Sequence, residues 1–145
     1  MTPQQAIATV LEATLTGDGA LASLLGTGPR VWESHLNPGA LYPSVVYDFP
    51  AGSPFRANRP QDSGFYQVML RVHGQDCYPG ALDSIVVRLQ TLLEGAVGAM
   101  DNVFFIESGY RIRFARQGSD SAIETSKGLF SARMLTYAVA VGGDN

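Results

Sequence analysis

Apolar residues at the start of this chain recur on a helical period: Ile7, Val10, Leu11 and Leu15 follow Thr2, Pro3 and Gln5. Those three supply an N-cap, a first-turn proline and a nearby amide. The pattern predicts an amphipathic first helix. Gly17 interrupts it, Asp18 is placed to cap a second short turn, and Leu21, Leu24 and Leu25 give that turn an apolar side before Gly26 and Gly28 end it. From Pro29 to Pro43 the pattern thins to Val31 and Trp32 ahead of the turn-forming run Asn37-Pro38-Gly39. A short edge strand and a loop are expected there.

The period then changes. Ser44 to Phe49 is rich in β-branched and aromatic residues between Pro43 and Pro50, which predicts a strand. Pro50 to Ser63 has three prolines and no apolar period, so a long projecting loop is expected. Gly64 to Gly74 alternates, with Tyr66, Val68, Leu70 and Val72 on one face and Gln67, Arg71 and His73 on the other. Pro79 opens a helical stripe of Leu82, Ile85, Val86, Leu89, Leu92 and Leu93 that stops at Gly95. Burying six such side chains gains on the order of 10–18 kcal/mol gross. Ordering the helix costs a comparable amount, so it must lie on a sheet. Val103 to Ile106, Tyr110 to Ala115 and Phe130 to Val141 read as further strands, with Ser108-Gly109 as a tight turn and Gln117 to Gly128 as a second long loop.

This order predicts an α+β fold: an antiparallel or mixed β-sheet with an N-terminal helix and one long amphipathic helix packed on one face. Strands adjacent in sequence are expected to pair. Neither a repeat nor a charge block divides the chain, so residues 1–145 are expected to form a single domain.

Composition adds a constraint on the surface. Hydrophobic residues make up 46% and charged residues only 16%, against about 25% charged in an ordinary domain. A surface so poor in charge suits either a polar uncharged exterior or one hidden against other copies. The net charge of −3 and the lack of a basic run argue against tight, sequence-specific nucleic-acid binding. A lone cysteine, Cys77, carries no disulfide framework. No signal peptide or membrane-spanning run is legible, and synthesis in the cytosol with no membrane partner is expected.

Candidate chemistry is sparse. His73 and Cys77 stand four apart, yet a structural zinc site needs about four ligands and His35 is the other imidazole. The same pair as nucleophile and base would lack an orienting group. The carboxylates stand singly, and the glycines match no phosphate-binding pattern. No catalytic residue, metal site or cofactor is therefore assigned; a small ligand-binding or enzymatic domain using Cys77 and His73 is the alternative of another class. Arg111, Arg113, Arg116 and Arg133 cluster near the last strands, and Arg111 and Arg113 share a face at period two. With no aromatic between them on that face, they read as a basic interface rather than a nucleic-acid platform.

Ala20 to Gly26, Val31-Trp32, Tyr42 to Tyr47, Tyr66 to Gly74, the amphipathic stretch Ala81 to Leu93 and Phe130 to Tyr137 follow one another in an order and spacing that resembles the tail terminator, or tail-completion (minor tail protein), family of long-tailed bacteriophages. The resemblance spans nearly the whole chain and rests on residue type, not on a catalytic signature. It implies a non-enzymatic virion protein of the tail or neck that assembles as a ring, usually a hexamer, on the last ring of the tail tube. There it stops tube growth and offers a head–tail joining surface to a connector or neck protein, with DNA passing through the lumen. Val103 to Ile106 and Pro50 to Ser63 are longer than in a minimal member. A siphophage terminator, a contractile-tail counterpart and another neck component, an adaptor or stopper, are the alternatives within it. Within the Pro50 to Ser63 loop, Phe55, Arg56 and Arg59 are anchor types enriched at interfaces, and the loop is the expected contact with the tube or a neighbouring copy.

Overall fold

The computed structural model describes residues 2–36, 38–50, 64–75, 77, 79–95, 104–117, 121–124 and 130–143. Helix α1 spans Pro3–Thr16. Thr2 and Gln5 close a reciprocal capping box over its first turn, at 2.8 and 3.1 Å. Asp18 caps α2 (Gly19–Leu25), accepting from the Leu21 amide at 2.8 Å, and Gly26 ends it at a positive φ of 102°. Both ends are where the sequence places them. The stripe opened by Pro79 begins as a 3-10 turn, Pro79–Leu82, and continues as α3 (Asp83–Glu94).

The strands are β1 (Val31–Glu33), β2 (Ser44–Asp48), β3 (Gly64–Gln75), β4 (Phe105–Glu107), β5 (Tyr110–Arg116), β6 (Ser121–Glu124) and β7 (Phe130–Gly143). They form one mixed sheet in the order β1-β2-β3-β7-β5-β4, with β6 also on β7. β1 runs parallel to β2 and every other pairing is antiparallel. The fold is α+β, as the pattern predicts. Sequence-adjacent pairing holds for β1–β2, β2–β3, β4–β5 and β6–β7, but the last strand is inserted between β3 and β5. β7 is long enough to hold β3 along its full length on one side and β5 and β6 in succession on the other. That second row corrects the expected Gln117 to Gly128 loop: Ser121–Glu124 is a strand, because half of β7 would otherwise leave its amides and carbonyls unpaired.

Alternation sorts the sheet into two faces. One face carries Val45, Tyr47, Val68, Leu70, Val72, Ile112, Phe114, Leu135, Tyr137, Val139 and Val141 into a single buried cluster with the apolar stripes of all three helices. Leu70, Val72, Leu82, Ile85, Val86, Leu89 and Leu93 meet in that cluster. Phe105, Phe114 and Tyr137 form an edge-to-face series within it, with centroids 5.7 and 6.0 Å apart. Two tyrosine hydroxyls tie helices to the sheet: Tyr47 donates to Glu12 of α1 at 3.0 Å, and Tyr137 donates to Glu94 of α3 at 2.6 Å. Burial first, and the adjoining carboxylate second, raise both phenol pKa values above the ordinary value.

Candidate assembly surface

The second face of the sheet carries the residues that the helix-side cluster does not use. By register it presents Trp32, Ser44, Val46, Asp48, Met69, Arg71 and His73 at one side and Ala132, Met134, Thr136, Ala138 and Ala140 down the centre. Small side chains dominate the central strand's share of this face, and none of them is charged. Toward β1, Val46 is fully buried between its register neighbours Trp32 and Arg71. Arg71 holds Asp48 at 3.0 Å and the Ser34 carbonyl at 2.9 Å.

At the β4 edge the surface changes character. Phe104 and Ile106 are 50% and 60% exposed. Ile106 pairs with Arg111, and the guanidinium carbons of Arg111 and Arg113 lie 5.1 and 5.8 Å from the centroid of the Phe104 ring. Ser108 and Gly109, both at positive φ (51° and 81°), make the turn that brings β4 back against β5 and so sets this cluster. The sequence finds the shared face of the two arginines but not the aromatic beneath them. Phe104 stands immediately before β4, across the hairpin from the arginines, so no count of residues between Arg111 and Arg113 reveals it.

The expected four-arginine group divides. Arg116 and Arg133 project to the helix side, where Arg116 lies 3.6 Å from Glu94 and Arg133 pairs with Asp83. Alternation along β5 and β7 imposes this separation, leaving Arg111 and Arg113 on the other face. The His73 and Cys77 pair also divides. His73 sits on the second face, paired in register with Ser44 and Ala132. Its pKa is lowered by burial and then by the charge of Arg71. Cys77 lies on the helix side, with its sulfur 3.3 Å from the Ser131 hydroxyl. A Cβ on Gly74 would stand 2.6 Å from that sulfur, so Gly74 is what lets the thiol approach the strand. The sheet thus lies between imidazole and thiol, and the dyad is not assembled.

Among the described residues no group of three or more His, Cys, Asp or Glu is placed to hold a metal ion. Among the same residues no helix is long and apolar enough to cross a membrane. Phe55, Arg56 and Arg59 lie outside the described residues, as does Val103.

No family model and no curated protein matches this chain. A solved structure described as the virion of a native gene transfer agent particle contains a chain that superposes with a TM-score of 0.67 at 19% identity, over 98% of this chain and 96% of that one. At that identity the likeness is one of fold.

Proposed function

We propose that this protein is a structural component of a phage-like virion and acts as the tail terminator. Several copies, expected to be six, form a ring on the end of the tail tube, stop its growth and present the joining surface to a connector or neck protein. One observation carries the reading: the fold coincides over nearly its whole length with a chain from the virion of a native gene transfer agent. The near-complete coverage of both chains means that what is shared is the entire fold, not a common submotif.

The surface suits such a role. A chain poor in charge that exposes Phe104 and Ile106 beside two arginines has the composition of an interface core, in which aromatics and Arg are enriched and Lys, Asp and Glu are depleted. Ring assembly requires contacts that repeat from copy to copy, and short edge strands at both ends of the sheet supply places for them.

The test is removal of the gene from the virus or particle that encodes it, followed by electron microscopy of the products. Tubes of unregulated length without attached heads, restored to uniform length by the protein supplied in trans, are the expected result. Tubes of normal length with unjoined heads would assign the protein to the neck as an adaptor or stopper instead. Normal, infectious particles in its absence would refute both.

A further inference from the structure

The two edges of the sheet carry unlike charges that form no ion pair among the described residues. On the β4–β5 side, Arg113 is exposed, leans over Phe104, and has no carboxylate within ion-pair distance among the described residues. On the β1 edge, Glu33 is exposed and its carboxylate meets no cation among the described residues. Glu33 also lines an open groove of about 730 Å³ along the first turns of α1, walled by Thr2, Gln4, Gln5 and Thr9, with Ala8 and Phe49 as its apolar part. It is the one charged side chain among the described residues lining that groove.

We propose that these two surfaces are halves of one contact between copies of this chain. The Phe104–Ile106 patch of one copy lies against Ala8 and Phe49 in the groove of the next, and Arg113 meets Glu33. Charge complementarity selects the second copy as the occupant. The patch offers two apolar side chains and a cation with no ion pair among the described residues, and the groove offers apolar lining from Ala8 and Phe49 and an anion with no ion pair among the same residues. An exposed ion pair contributes little affinity by itself. Its part here is register: it admits the patch in one orientation and penalises a like charge placed opposite. Because the halves are different surfaces on opposite edges of the sheet, the contact is heterologous, and repeating it yields a ring or a filament rather than a two-fold dimer. The inference deepens the terminator reading, since it names the contact that would close the ring.

The experiment uses the full chain. Glu33→Arg and Arg113→Glu should each weaken self-association about tenfold or more in sedimentation velocity and native mass spectrometry. An equimolar mixture of the two variants should recover it, because each supplies the charge the other lacks, and should give assemblies with even numbers of copies. In a Cys77→Ser background, Glu33→Cys combined with Arg113→Cys should oxidise into a ladder of linked chains. A control pairing Val87→Cys with Arg113→Cys should not, since Val87 lies on an exposed helix surface away from the groove. This arm decides the matter even if association is too weak to sediment. A ladder no stronger than the control, or a crosslink confined to single chains because the groove is filled by the same molecule, overturns the proposal. Rings that persist on tails carrying Glu33→Arg overturn this contact while leaving the terminator reading intact. Tails of normal length in the absence of the protein overturn that reading whatever the crosslinks show.

Discussion

Asp18 joins two helices through a single carboxylate: it caps α2 at the Leu21 amide and holds the guanidinium of Arg88 in α3 through both oxygens, at 2.8 and 2.7 Å. The hydrogen bond from Arg88 is the main cause that lowers the Asp18 pKa below the ordinary carboxylate value. The carboxylate side chain is largely shielded and Arg88 is a third exposed, so the pair is screened only in part.

Two substitutions separate its roles. Asp18→Ala removes cap and pair together and should lower stability by about 1–2 kcal/mol in urea titration at pH 7. Asp18→Asn keeps a cap acceptor and should lose less. A carboxylate with a depressed pKa stabilises the fold above its unfolded value of about 3.9, and the contribution disappears as pH falls through the lower folded value. The gap between wild type and Asp18→Asn should therefore close on acidification below about pH 4. A gap that is constant with pH would mean that the charge has no part in it.

Tyr47 and Tyr137 give the opposite dependence at alkaline pH. Their folded pKa values are raised by burial and by Glu12 and Glu94, so the neutral phenols stabilise the fold below the unfolded value near 10. That stability is lost as pH rises from about 10 toward the higher folded values. Chemical denaturation between pH 8 and 11 should show wild type weakening at the upper end. The double variant Tyr47→Phe, Tyr137→Phe should be less stable at pH 8 by about 1.5–3 kcal/mol per bond lost to a charged partner, and flatter above pH 10. Tyrosinate absorbance that develops fully near pH 10 in the folded protein would contradict this.

Leu89 is fully buried where α3 crosses the sheet. Leu89→Ala should cost roughly 2–5 kcal/mol through lost burial and the cavity left behind. Val87, two residues earlier and 57% exposed, is the matched control, and Val87→Ala should change stability by under about half a kcal/mol. Equal losses at the two positions in denaturant titration would show that the helix presents a different face.

The features legible in the sequence are local ones. The α1 cap, the Asp18 cap, the α3 stripe, the alternation of β3 and the Ser108-Gly109 turn each depend on residues within a turn or two of one another. What the sequence hides is set by long-range pairing. β7 lies between β3 and β5 although the chain reaches it last, and β6 exists because β7 is longer than β5. Ser121-Ala122-Ile123-Glu124 has one β-branched residue and no clear alternation, so little in it announces a strand. The same distance rule governs the surface. Arg111 and Arg113 are paired by period two, but the aromatic under them comes from across the hairpin. His73 and Cys77 look close along the chain yet occupy opposite sides of the sheet.

The 50–63 segment is the proposed contact with the tail tube or a neighbouring copy. It leaves β2 beside Phe49, which lines the Glu33 groove, and it carries Phe55, Arg56 and Arg59, residue types enriched at interface centres. β2 and β3 are antiparallel neighbours joined from Ser44↔His73 to Asp48↔Met69, and this pairing does not depend on the segment between them. Replacing 51–62 by a short Gly/Ser linker should therefore leave the thermal transition nearly unchanged, since loop-closure entropy varies slowly with length. Tail capping and head joining should fail with the shortened protein while its fold persists. A triple substitution of Phe55, Arg56 and Arg59 by Ser in the full-length loop should reproduce that failure if these side chains are the anchors. Should the shortened protein still end tails at normal length and support infectious particles, the tube contact lies elsewhere on the molecule, and the stretch from Gln117 to Gly128 becomes the first place to look for it.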